Sequence, residues 1–83
     1  MIVDIYQSNI QRNKFLVVQA GSQVTGKALN LEDAAFANIS PFNLGLTLQP
    51  GIIGLNAEKA EENIRAHGYH IFGIRVEVTI DPK

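Results

Sequence analysis

Phe72-Gly73-Ile74-Arg75-Val76-Glu77-Val78-Thr79-Ile80-Asp81 is the stretch on which the fold turns. Phe72, Ile74, Val76, Val78 and Ile80 alternate with Gly73, Arg75, Glu77, Thr79 and Asp81. Successive side chains of a strand point to opposite faces, so this strand has one apolar and one polar face. That is the pattern of a half-buried strand in an antiparallel sheet. Just upstream, the spacing predicts a helix over 57–67. Ala57, Ala60, Ile64 and His67 line one stripe, while Glu58, Lys59, Glu61, Glu62 and Arg65 face water. Asn56 is its expected N-cap, Glu61 and Arg65 form a favourable pair four residues apart, and Gly68 supplies the left-handed stop.

Working back toward the start of the chain, Leu44, Leu46 and Leu48 alternate with Gly45, Thr47 and Gln49, which predicts a short strand stopped by Pro50-Gly51. Asn30-Leu31-Glu32-Asp33 reads as a helix start, with Leu31, Ala34, Ala35 and Ile39 at helical spacing and an end at Ser40-Pro41. Residues 1–7 and Lys14 to Ala20 are strand-like, and the short polar gap between them predicts an antiparallel hairpin. The first strand, Ile2 to Gln7, carries one charge and no proline, and is expected at a sheet edge. The expected order is β-β-α-β-α-β. This is an α+β domain with a small antiparallel-dominated sheet and two helices on one face.

Composition bounds the function. The chain has 83 residues, 46% hydrophobic and 18% charged, with seven Lys and Arg against eight Asp and Glu. One domain, residues 1–83, with a leucine, valine, isoleucine and phenylalanine core is expected. A net charge of −1 does not suit nonspecific binding to nucleic acid, which needs many cations against phosphates. With no cysteine, disulfides, thiolate metal sites and cysteine nucleophiles are excluded, and a reducing, cytoplasmic compartment is expected. The N-terminus lacks the basic and apolar regions of a signal peptide. Leu44 to Leu55 is too short and too broken by glycine and proline to span a bilayer, so no membrane partner is expected.

The opening Val3-Asp4-Ile5-Tyr6, the strand around Phe15-Leu16-Val17-Val18 and the closing helix, Gly68-Tyr69 and strand resemble a family of very small uncharacterised bacterial proteins. These begin with an M-x-V-D-I-Y strand and end with a helix, a Gly-Tyr turn and a strand. Residues 21–56 depart from that pattern. The resemblance implies a bacterial cytoplasmic setting. It brings no catalytic residues.

Each reactive group has a structural explanation. His67 and His70 straddle Gly68, a spacing that does not make them converge on a metal ion. Gly51-x-x-Gly54-x-Asn56 joins a strand to a helix start, where backbone amides can hold an anion. Its spacing matches neither the dinucleotide nor the P-loop pattern, and Glu58, Glu61 and Glu62 are close by. Ser8, Ser22 and Ser40 sit among turn residues outside any nucleophile elbow. Neighbouring carboxylates at Glu61-Glu62 and Glu32-Asp33 diverge by about 100° on a helix. No catalytic residue, cofactor or metal ligand is assigned. If Met1, Val3 and Ile5 face the core, Asp4 and Tyr6 face out. With Arg75 and Glu77 they would form a polar sheet face, through cross-strand pairs such as Asp4 with Arg75. Asp4, Tyr6, Arg75 and Glu77 are therefore the candidate partner-binding face. The expected function is a small noncatalytic protein-interaction or regulatory module, contacting an unknown protein partner or a second copy in a homodimer. The alternative is a small-ligand or anion-binding domain at the Gly51–Asn56 junction.

Overall fold

The computed structural model describes residues 1–22, 33–51 and 54–74. The elements are β1 (Ile2–Ser8), β2 (Lys14–Gln19), a 3-10 turn (Ala34–Ala37), β3 (Ile39–Thr47), α1 (Ala57–His67) and β4 (Tyr69–Gly73). The four strands form one sheet in the order β3-β1-β2-β4, every neighbouring pair antiparallel.

The expected hairpin is present. Its register runs from Val3 opposite Gln19 to Gln7 opposite Phe15. The Ser8 hydroxyl, fully buried, closes the turn by accepting the amides of Ile10 at 3.1 Å and Gln11 at 2.9 Å. It donates in turn to the carbonyl of Ala35, so one side chain ties the hairpin to the 3-10 turn.

Two apolar layers sandwich the sheet. Val3, Ile5, Phe15 and Val17 share one face and pack with Leu55, Ala60, Ile64 and Phe72, under α1. Leu16 and Val18 point the other way and pack with Phe36, flanked by Tyr6, Ile39, Tyr69 and Ile71. The unbroken apolar run from Phe15 to Val18 follows from this, because a strand buried on both faces has no polar side to alternate.

The helix over 57–67 forms as its spacing predicts. The Asn56 side chain accepts the amide of Lys59 at 3.0 Å, and Arg65 reaches Glu61 at 2.8 Å. Gly68 ends the helix with φ +89° and donates its amide to the carbonyl of Ile64. No helix among the described residues is long and apolar enough to cross a membrane.

The expected β-β-α-β-α-β order with two helices on one face is corrected. Among the described residues there is one α-helix, and the described part of the segment read as an earlier helix forms the 3-10 turn Ala34–Ala37 and then enters β3. The expected Asn30 cap lies outside the described residues. Asp33 caps the turn instead, accepting the amide of Ala35 at 2.9 Å while Lys14 reaches its other oxygen at 3.0 Å. Turns this short have little stability of their own, so tertiary contacts decide their form. Here Phe36 docks on Leu16 and Val18, on the face opposite α1, and by Ile39 the chain is extended and pairs with β1 at Ser8.

Two strand expectations change with it. β3 runs nine residues through Pro41 rather than starting near Leu44. An edge strand tolerates proline where the missing donor would face outward. Because β3 returns beside it, β1 is an interior strand and not an edge. β4 begins at Tyr69, before the expected alternating stretch; of that stretch Phe72–Ile74 are described, with Phe72 buried and Ile74 packed on the same cluster. Residues 75–83 lie outside the described residues.

Candidate interaction surface on the edge strand

Asp4 and Tyr6 do lie on the face opposite Val3 and Ile5, but that face is a second apolar layer rather than a solvated one. Asp4 is 8% exposed. One carboxylate oxygen accepts the amide of Gly45 at 2.9 Å and the other that of Gly21 at 3.0 Å. This corrects the outward placement of Asp4. Tyr6 is half-buried against the Leu16, Val18 and Phe36 cluster. Arg75 and Glu77 lie outside the described residues.

The histidines do not come together as a site. His67 is exposed at the end of α1, its ring 6.4 Å from that of Tyr69. His70 is half-buried, with Nδ1 2.9 Å from Nδ2 of Asn63. Burial lowers its pKa below 6.5, and the Lys59 charge adds to the shift. Among the described residues no three His, Cys, Asp or Glu side chains are grouped as metal ligands. Ser40 exchanges hydrogen bonds with Asn9 at 2.9 and 3.1 Å, bracing the start of β3 against the hairpin turn.

At the Gly51–Asn56 junction a depression of about 310 Å³ is lined by Pro50, Gly51, Leu55, Asn56, Ala57 and Glu58. The polar end of Asn56 is already committed to the amide of Lys59. The Glu58 carboxylate on its wall repels an anion.

The exposed edge is different. β3 departs from regular pairing with β1 twice, between Val3 and Ile5 and between Ile5 and Tyr6. Each shift inserts an extra β3 residue, and bulges of this kind re-aim side chains. Gly45, at φ +70°, takes a backbone conformation that other residues rarely adopt, and the Asp4 carboxylate holds its amide. Within this irregular stretch Phe42 and Leu44 are 56% and 55% exposed. The rings of Phe42 and Phe15 pack edge to face with centroids 4.8 Å apart, and Phe15 stacks on Phe72 with centroids 5.0 Å apart. Beside them Arg12, Asn13, Phe15 and Ile74 line a shallow depression of about 320 Å³. The helix α1 packs chiefly on β4 and β2.

Strand edges are commonly guarded by charged side chains, lysine above all. β3 has none, and no charged residue or histidine occurs anywhere between Asp33 and Glu58. Neither Phe42 nor Leu44 is a site residue in the sequence reading, where Leu44 counts only as an apolar position of a short strand. The uncharged run is the signal that marks them, and it gains meaning only once β3 is known to be an edge. Comparison with family models, with curated proteins and with solved structures yields no match for this chain.

Proposed function

We propose that this chain is a small noncatalytic protein-interaction module of the cytoplasm that engages its partner along β3. One observation carries the proposal: among the described residues the sheet ends on an uncharged strand with Phe42 and Leu44 exposed. A strand edge offers unpaired backbone groups to an extended segment of another chain, and neighbouring side chains then set specificity. Aromatic residues are enriched in interface cores, from which charged residues are depleted. Phe42, supported from behind by Phe15, is such an anchor. Ser8, Ser40 and His70 are engaged in hydrogen bonds that hold the fold, which supports a noncatalytic role. The absence of cysteine supports a reducing compartment.

The test compares tagged wild-type protein with a Phe42→Asp/Leu44→Asp variant, each purified from the native cell. Wild type is expected to retain a partner that the variant loses, and amides of residues 39–47 are expected to exchange more slowly in the complex. Retention of the same partner by a folded variant would overturn the proposal.

A further inference from the structure

Resting on the β3 reading, we infer that the strand's occupant is a second copy of this chain. The two β3 strands pair antiparallel about a two-fold axis at Leu44, and two four-stranded sheets continue as one of eight strands.

Charge is the first reason. A two-fold contact brings each surface patch against itself, so any charge near the axis meets its own like charge. Like charges directly opposite one another destabilise a strand pair. β1 carries Asp4, β2 carries Lys14, β4 carries His70 and α1 is dense in charge, whereas β3 has no ionisable side chain. The neutral run extends to Ala34 on one side and Ala57 on the other. Of the two described sheet edges, β4 carries His70, which gains a charge on acidification, whereas β3 has no ionisable side chain and its own copy meets no electrostatic opposition at any pH.

Side-chain placement is the second. Antiparallel pairing about Leu44 sets Leu44 against Leu44 and Phe42 against Leu46 of the second copy. Phe42 touches Phe15, and Leu46 packs on the cluster containing Phe15, so both lie on the α1 side of the sheet. The pairing therefore covers Phe42 and joins the two apolar layers.

Closure is the third. Pairing β3 to the β4 edge of another copy would propagate without end, whereas β3 to β3 stops at two. Pro41, which has no amide hydrogen to donate, falls opposite Thr47 of the second copy and ends the pairing there, leaving residues 42–46 to form it. So short a contact falls below the roughly 1,200–2,000 Å² of stable interfaces, so the dimer is concentration-dependent.

Sedimentation of the untagged protein from about 10 μM to about 1 mM spans the affinities that a contact of this size supports. Mass is expected to double across that range, with amide exchange slowing at residues 42–46 as concentration rises. Phe42→Asp/Leu44→Asp and the milder Leu44→Lys are expected to stay monomeric with unchanged circular dichroism. Leu44→Cys, which introduces the sole thiol, is expected to oxidise to a covalent dimer, whereas Glu62→Cys on the outer face of α1 is not. A wild type that remains monomeric at the highest concentration overturns the self-pairing. If the double variant also loses a different partner, the β3 reading survives that failure. A dimer that persists in folded Leu44→Lys, with amides of 42–46 unchanged, overturns both.

Discussion

The carboxylate of Asp4, in the middle of an interior strand, accepts the backbone amide of Gly45, in the middle of the edge strand, at 2.9 Å. The bond does what the regular ladder cannot do there. A bulge leaves backbone groups without cross-strand partners, and Asp4 satisfies one of them from inside the sheet. Its second oxygen takes the amide of Gly21 just beyond β2, so one side chain holds segments on both sides of β1.

Asp4→Asn keeps the shape but turns an amide donor toward one of two backbone donors. A buried donor left unsatisfied costs about 1–3 kcal/mol. A loss of stability of that order is expected in urea denaturation, with the slope unchanged. The amide resonance of Gly45 or Gly21 should shift with it. An unchanged midpoint would show that water replaces the carboxylate at no cost.

Gly45 and Gly54 separate two reasons for needing glycine. Both have positive φ, +70° and +78°. A side chain at Gly45 meets nothing within 4 Å, so Gly45→Ala is expected to cost only the conformational penalty, about 1–2 kcal/mol. At Gly54 the added Cβ lies 3.3 Å from Cγ1 of Ile74 and 3.7 Å from Cδ2 of Phe72. Gly54→Ala therefore adds crowding of the core to the same penalty. Thermal melts should rank it below Gly45→Ala. At about 4–8 °C per kcal/mol for domains of this size, the difference is measurable. Equal melting temperatures would mean that Ile74 moves aside freely.

Ser8→Ala removes the acceptor of two turn amides and the donor to Ala35 at a fully buried position. The expected cost is about 1–3 kcal/mol, with faster amide exchange at Ile10 and Gln11. Ser40→Ala, whose partner Asn9 is exposed to water, serves as the contrast and should cost less. A Ser8→Ala protein as stable as Ser40→Ala would contradict the role given to this hydroxyl.

Acidification should weaken the fold through His70. Its folded-state pKa is depressed below 6.5, first by burial and then by Lys59. The unfolded chain therefore binds the proton more readily, and folding favours the neutral ring. The contribution is fully present above pH 6.5 and is lost as pH falls from there through the folded-state value. Protonation also removes Nδ1 as an acceptor for the amide of Asn63. Asp33, whose pKa is held below 3.8 by the Ala35 amide and by Lys14, stays ionised in this window and does not confuse it. The denaturation midpoint of wild type is expected to fall between pH 7 and pH 5 more steeply than that of His70→Gln. Parallel curves would remove His70 as the cause.

Local chemistry was legible where it acts within a few residues. The amphipathic stripe, the Asn56 cap and the Gly68 stop define α1, because capping and i to i+4 contacts are set by neighbours in the chain. The hairpin was legible for the same reason, since two apolar runs across a short polar gap have little choice but to pair. Alternation also assigned Asp4 and Tyr6 correctly to the face opposite Val3 and Ile5. What lies over that face is a question about distant residues, and Phe36 answers it. The same limit applies to Ala34–Ile39, where helical spacing yields to a 3-10 turn because Ile39 pairs with Ser8, thirty-one positions earlier in the chain. Strand order decided the rest. It made β1 interior, gave the Asp4 carboxylate two backbone partners, and put Phe42 and Leu44 on an edge. Periodicity tells which side chains share a face, but which strands become neighbours depends on the summed packing of residues far apart in sequence.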